Sequence, residues 1–418
     1  MVPLCVTPST IVLTFLKSLF NRPLNQDQFA EMVLTSLKRQ WSGRTFVLDK
    51  EKFQINEPGG MMIYLRNIYM DYGQANPAER KQQLDRFVRG LAPTDIAPEE
   101  FDAVKERLLP VLRNLCGIDL LRIDAGDDKL LSETMSYRPL SDELGIVLAI
   151  DSELNIRQIG SDVLTQWGKT FDDVLQVAID NLRHKAAPSF QEITHGLFVS
   201  QYGDYYDAPR MLVPELIWQL PVGARPVVMA PNRCCLLVCS ADDANALSSM
   251  VDHARHMLFE ESRPLNAEMF MLTDQGWNTW TPSGEPGQKL GRLQRELMAN
   301  DYADQKQALD ALHEKVEKDV FVASQSLIER KSDGQLISYA VLGNGVHTLL
   351  PKADLIFLVE EEGGEALMVT MADFLEIAGA FVKRLSYVMP RYEVVEFPDA
   401  GCLAALRERA ISIDAVRV

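Results

Sequence analysis

The chain has 418 residues, of which 47% are hydrophobic, 8% aromatic and 24% charged, and its 42 basic and 59 acidic side chains give a formal charge of −17. The apolar share is enough to build packed cores, which excludes a disordered acidic tail protein. The sign of the charge excludes a generic basic nucleic-acid binder, so no direct nucleic-acid partner is expected. At roughly 100–200 residues per domain, the length predicts two or three domains.

Six cysteines (Cys5, Cys116, Cys234, Cys235, Cys239 and Cys402) are sparse and form no CxxC pair, which points to a reducing compartment. The best membrane candidate, Ile11 to Phe20, carries Lys17 and is half the ~20 apolar residues that a spanning helix needs. No basic region precedes it, so a signal peptide is not expected. The expectation is a cytoplasmic protein with no membrane association. Charge is uneven: residues 1–140 are balanced at 18 basic and 18 acidic, whereas residues 141–280 carry 9 and 19. An acidic surface of this kind serves solubility in most proteins, and it is where a basic partner would dock.

In chain order, Phe29, Met32, Val33 and Leu37 keep helical spacing. Arg44–Leu48 and Lys52–Asn56 read as a hairpin. After Gly59-Gly60, the run from Met61 leads into Leu65, Ile68, Tyr69 and Tyr72 at helical spacing, and Pro77 to Arg89 is a helix with Pro in its first turn. Phe101 to Leu109 reads as a further helix, stopped by Pro110. This N-terminal α+β region is assigned to residues 1–140.

A central α+β domain is assigned to 141–281. Gly145–Ile150 is a strand, Asp151–Asn155 a turn and Ile156–Ile159 the return. Helices follow at about 161–167 and 171–185, a strand at Phe190–Gln201 and a helix at Ala208–Leu220. Val227–Met229 and Cys234–Cys239 form a hairpin, Ala241–Phe259 a long helix, and Met269–Thr273 with Trp277–Thr281 close the sheet. The turn-formers Thr281 to Gly287 mark a boundary. The C-terminal domain, 282–418, then begins with a helix over 288–318. Strands at Phe321–Arg330, Leu336–Leu342 and His347–Glu360 are separated by Asp333-Gly334 and Asn344-Gly345, the dipeptides of tight hairpins, which predicts a β-meander. A strand at Ala366–Met371, a helix at Ala372–Val388 and a strand at Arg391–Phe397 complete it. The fold class expected is α+β, with mixed or mostly antiparallel sheets and packed helices.

No phosphate loop, GxGxxG, GxSxG, HExxH or zinc-knuckle spacing occurs, so neither cofactor nor metal is expected. The densest polar cluster is Gln201 to Arg210. Asp207 precedes a helix and suits its N-cap. The functional alternative is that Asp204, Tyr205, Tyr206 and Arg210 grip a polar ligand from a loop, with His195 on the preceding strand reaching the same place. His253 and His256 share a helix face but lack a third ligand. Cys234, Cys235 and Cys239 read as small core residues, and Glu360 to Glu362 as a solvated turn.

Asp204-Tyr-Tyr-Asp-Ala-Pro-Arg-Met-Leu212 resembles a segment of the YtpQ-like family of uncharacterised bacterial proteins. Pro209 stands where that family usually has Ser, and Tyr205 where it has Gly. Phe46–Lys50, Phe53–Ile55, Leu144–Asp151, Asn181–Arg183, Ala230–Leu237 and Met269–Thr273 follow in matching order. The likeness spans roughly residues 25–280, implies a bacterial cytosolic origin and brings no reaction with it. The functional expectation is a non-catalytic binding or scaffold protein for another protein or a small polar ligand, with Tyr205, Tyr206 and Arg210 as ligand-binding residues. The alternative is a hydrolase or transferase using His195 with Asp204 or Asp207 as acid and base, and Arg210 on an anionic substrate.

Overall fold

A computed structural model describes residues 24–58, 61–91, 100–126, 136–153, 155–185, 189–361 and 363–412. The apolar stretch Ile11–Phe20, Cys5, Gly59-Gly60 and Glu362 lie outside them. The fold is α+β with mostly antiparallel sheets. By internal contacts the chain separates into two compact units, the first from residues 1–99, 151–157 and 260–263 and the second from 100–150, 158–259 and 264–418.

Unit one begins with helix α1 (Gln26–Gln40), started by a capping box in which the Asn25 side chain accepts the Gln28 amide at 2.9 Å and the Gln28 side chain accepts the Asn25 amide. Its stripe Phe29, Val33 and Leu37 is fully enclosed. The expected hairpin forms as β1 (Val47–Asp49) and β2 (Gln54–Asn56). The run after Met61 does not pass directly into a helix. Met62–Tyr64 alternates exposed, buried, exposed and adds a third antiparallel strand, β3, before α2 (Arg66–Gln74). Helix α3 (Pro77–Gly90) starts as expected, with the side-chain carbonyl oxygen of Asn76 accepting the Ala78 and Glu79 amides. Ile55, Ile63, Ile68, Leu84 and Val88 join the α1 stripe in one core.

Unit two opens with α4 (Phe101–Val104) and a short 3₁₀ turn, and here the expected helix to Leu109 is replaced by strand β4 (Leu108–Asn114). Pro110 does not terminate the segment, because β4 lies at the edge of its sheet, where an absent N–H costs no ladder bond. Five successive buried residues, Leu108 to Leu112, drive the strand. Then follow α5 (Leu115–Ala125), β5 (Tyr137–Pro139), β6 (Leu144–Asp151), α6 (Ser161–Trp167) and α7 (Phe171–His184), while the short β7 (Ile156–Gln158) falls mostly in the 151–157 stretch of unit one. Helix α7 buries Val174, Leu175, Ala178 and Leu182, and its Asn181 donates to the Lys105 and Leu108 carbonyls at 2.6 and 2.9 Å.

The strand expected over 190–201 is two strands, β8 (Phe190–Thr194) and β9 (Leu197–Ser200), because Gly196 at φ +75° turns the chain. The helix expected over 208–220 is a 3₁₀ turn, Ala208–Leu212, and a single-turn α8 (Pro214–Ile217); Pro209 and Pro214 keep each piece short. Next come β10 (Pro226–Met229), β11 (Leu237–Ser240), α9 (Ala244–Glu260), β12 (Met269–Thr273) and β13 (Gly276–Trp280). They form a six-stranded sheet in the order β13-β12-β10-β11-β9-β8. Its side chains alternate between two cores. Val227 and Met229 join Met250 and Val251 of α9 in one, while Val228 and Ala230 join Ile146 and Leu148 of β6 and Val174 and Ala178 of α7 in the other.

After Thr281–Ser283 the chain enters α10 (Gly284–Lys315), which sends Leu290 and Leu293 into the α9 core. The remaining elements are β14 (Phe321–Val322), β15 (Ser326–Glu329), β16 (Leu336–Gly343), β17 (Thr348–Pro351), β18 (Leu355–Val359), β19 (Leu367–Thr370), α11 (Met371–Ala378), β20 (Val382–Arg384), β21 (Arg391–Val394) and α12 (Ala400–Glu408). They are not a β-meander. The β15–β16 hairpin forms, but β16 pairs with β18 in parallel, and β17 leaves for a second sheet between β14 and β21. A parallel neighbour needs a crossover, and β17 lies on that crossover. The helix expected to Val388 stops at Ala378, since Gly379 is a poor helix former and Val382–Arg384 pairs with β21. Among the described residues no helix is long and apolar enough to cross a membrane.

Candidate functional site

A cavity of about 540 Å³ opens within unit two. The turn before β6 supplies Asp142 and Glu143, the segment before β12 supplies Ala267 and Glu268, and α10 supplies Gln294, Leu297, Met298 and Asp301. Steps of three and four residues put those α10 side chains on one helix face. The loop from β20 to β21 closes the space with Tyr387 to Pro390.

Each wall is fixed by a local device. Ser141 Oγ accepts the Glu143 and Leu144 amides at 3.2 and 2.9 Å, which sets the turn. The same hydroxyl donates to Glu268 Oε2, as does the side-chain amide of the fully buried Asn266. Gln294 donates to the Ala267 carbonyl at 2.9 Å, tying α10 to the β12 approach. Tyr302 donates to the Pro390 carbonyl at 2.9 Å and accepts the Lys352 amide at 3.1 Å. Asp119 of α5, 1% exposed, accepts the amides of Val388 and Met389 and so anchors the closing loop. Below Tyr302 the fully enclosed Arg391 donates to the Ala323, Leu349 and Tyr302 carbonyls and to Gln305 Oε1, with no carboxylate in that set; burial pulls its pKa down to about 10.

The electrostatics of the cavity are acidic. Burial pushes the Glu268 carboxyl up to about 7, against the Ser141 hydrogen bond and with help from the Glu143 charge. Burial, then the charges of Glu143 and Asp304, push Asp301 up to about 7. Glu143 is raised by burial, with Lys352 opposing. The Cys116 thiol is raised by burial and by Glu143, which keeps it protonated and a poor nucleophile. The chemistry available is therefore charge complementation and proton exchange at carboxyl groups. Among the described residues, no group of three or more His, Cys, Asp or Glu side chains is arranged to hold a metal ion.

The residues singled out in the sequence lie elsewhere in unit two. Arg210, with no exposure, donates to Asp204 at 2.9 and 2.8 Å and to the Tyr206 carbonyl at 2.8 Å, and its guanidinium sits 3.5 Å from the Tyr202 ring centre. Burial raises the Asp204 carboxyl, but the hydrogen bonds and charge of Arg210 outweigh it and hold that pKa below the ordinary value. Tyr206 is 1% exposed, while Tyr205 is 46% exposed with φ +67°. Asp207 is buried but does not cap a helix: its own backbone is already helical, so its side chain turns back to accept the Tyr202 amide at 3.1 Å. His195 is not gathered into this group. It stands on the β8–β9 turn with its side chain 99% exposed and Glu192 as its carboxylate neighbour at 3.8 Å.

His253 and His256 are exposed on α9, and Asp252 beside them pairs with Lys289 at 3.1 Å. Cys235 and Cys239 are buried, and burial drives the Cys239 thiol up to about 12; Cys234 is exposed. Glu360 pairs with Arg407.

Glu143, Glu268 and Asp301 were not among the sequence candidates. One of them left a signal: Asp301 falls on the stripe Leu290, Gln294, Leu297, Gln305, Leu309 of α10, where a carboxylate interrupts a face that is otherwise apolar or amide. Glu143 and Glu268 read as ordinary acidic residues beside strands. Comparison with protein-family models, with curated proteins and with solved structures finds no match in any of the three, so the site rests on its own geometry.

Proposed function

We propose that the protein is a non-catalytic binding protein for a small polar ligand, taken up in the cavity of unit two. The observation that carries this reading is a cavity of about 540 Å³, within the range of roughly 300–1,000 Å³ typical of small-molecule sites. The Cys116 thiol of the lining is held protonated and the Tyr302 hydroxyl is committed to Pro390 and the Lys352 amide, so neither is poised as a nucleophile. A cytoplasmic setting fits the free thiols of Cys116, Cys234, Cys235, Cys239 and Cys402.

The hydrolase or transferase alternative, built on His195 with Asp204 or Asp207 and Arg210, has less support. Its base stands in solvent on a hairpin turn, and its anion-binding arginine is enclosed and neutralised by Asp204. The test is a thermal-shift and calorimetric screen of small polar compounds on the whole chain and on Leu297→Trp, which enlarges a lining side chain to fill the cavity. Binding that the tryptophan abolishes supports the proposal; binding that it leaves unchanged removes the cavity from the function.

A further inference from the structure

The cavity is unusual in how its charges are left. Glu143, Glu268 and Asp301 are partly buried and line one concave space. Among the described residues none of the three takes part in an ion pair, and Glu143 and Asp301 have no side-chain hydrogen bond either. Glu268 receives only neutral donors, Ser141 and Asn266. Elsewhere even exposed carboxylates find a cation, as Asp333 does at Arg330. Among the described residues no basic group acts on Glu268 or Asp301, and Lys352 offsets the burial of Glu143 only in part. Carboxylates removed from water with so little counter-charge are costly, and adjacent like charges raise that cost. The structure therefore holds a concave site whose unmet requirement is positive charge.

We infer that the ligand of this cavity is a small organic cation, an alkylammonium or guanidinium compound, held by the carboxylates of Glu143, Glu268 and Asp301. This rests on the reading of the cavity as a ligand site. An organic cation fits better than a metal ion because the carboxylates do not converge as a coordination set among the described residues. A cation with several N–H donors can reach separated carboxylates at once. Tyr387 and Tyr392 add aromatic wall, which suits the methylene and cationic parts of such a molecule. The facing charges are Asp142, Asp304, Lys352 and Arg384; Lys352 and Arg384 lie on exposed stretches of the wall, so the enclosed part remains net acidic. Because Glu268 and Asp301 titrate near 7, taking up a cation displaces protons from them, and binding strengthens as pH rises.

The test is isothermal calorimetry of the full chain with putrescine, agmatine and spermidine, set against citrate as an anionic probe and mannitol as a neutral one, at pH 6 and pH 8. The expected result is binding of at least one amine, about tenfold tighter at pH 8 than at pH 6, with proton release measured from buffers of different ionisation enthalpy. Asp301→Asn and Glu268→Gln, each checked for cooperative unfolding, weaken it about tenfold or more. If citrate or mannitol binds and Leu297→Trp blocks it while no amine binds, the cation assignment is overturned and the cavity reading stands. If no probe of any class binds, both are overturned.

Discussion

Arg210 has no solvent exposure, and both terminal nitrogens of its guanidinium reach the Asp204 carboxylate, at 2.9 and 2.8 Å. Its ring neighbour Tyr202 and the Tyr206 carbonyl complete the enclosure. The pair closes the loop Gln201–Val213 on itself, so the most conspicuous polar cluster in the sequence is occupied with holding a loop. Removing one member leaves an enclosed charge without its partner.

Asp204→Ala is therefore expected to cost about 3 kcal/mol in urea unfolding of the whole chain. Replacing Arg210 by Met in that background restores part of the loss, because the uncompensated charge is then gone. A cost below about 1 kcal/mol for Asp204→Ala would show that the pair contributes little.

His195 predicts the opposite. With a 99% exposed side chain and Glu192 at 3.8 Å, His195→Ala is expected to stay within about 0.5 kcal/mol of the parent in unfolding free energy. It also leaves ligand binding in the calorimetric screen unchanged. Gly196→Ala, one residue on, is not silent: its φ of +75° and a Cβ position 2.7 Å from Asp243 Oδ2 strain the turn.

Asp119 ties α5 to the loop that closes the cavity, through the amides of Val388 and Met389. Asp119→Ala leaves two amide donors without their acceptor and is expected to cost about 1–3 kcal/mol. Hydrogen exchange reads the location: the Val388 and Met389 amides exchange faster, while those of the α9 core keep their protection.

What the sequence made legible is local. The stripe Phe29, Val33, Leu37, the helix start at Pro77 and the strand pair around Pro231 all sit within one hydrophobic period or one turn, and they form close to where expected. Strand β4 was hidden because Pro110 argues against a strand until its edge position is known. The pairings of β16 and β17 were hidden because Asn344-Gly345 turns the chain without pairing β17 to β16, and nothing within that segment specifies Leu355 as the partner of Tyr339 or the distant Tyr392 as the partner of Leu350. The cavity was hidden for the same reason: Glu143, Glu268 and Asp301 come together only through three separate tertiary attachments.

Those carboxyls set the pH dependence of stability. Glu268 and Asp301 titrate near 7 in the folded chain against 4.5 and 3.8 for free groups. Between those values the folded state keeps protons that the unfolded state has released, so stability falls as pH rises, and the contribution is complete below about pH 4 and lost above about pH 8. His313 acts in the other direction: burial and Lys318 lower its pKa from 6.5, so its neutral form is the folded one and stability is lost as pH falls below that value. Its Nδ1 is buried without a hydrogen-bond partner, which leaves no acceptor for an added proton. Urea titrations from about pH 5 to about pH 8.5 are expected to show a decline on the order of 2 kcal/mol per cavity carboxyl, discounted for their partial exposure. Glu268→Gln with Asp301→Asn flattens that decline and exposes the opposite slope from His313, which His313→Gln then removes. A decline that persists unchanged in the double variant would place its origin outside Glu268 and Asp301.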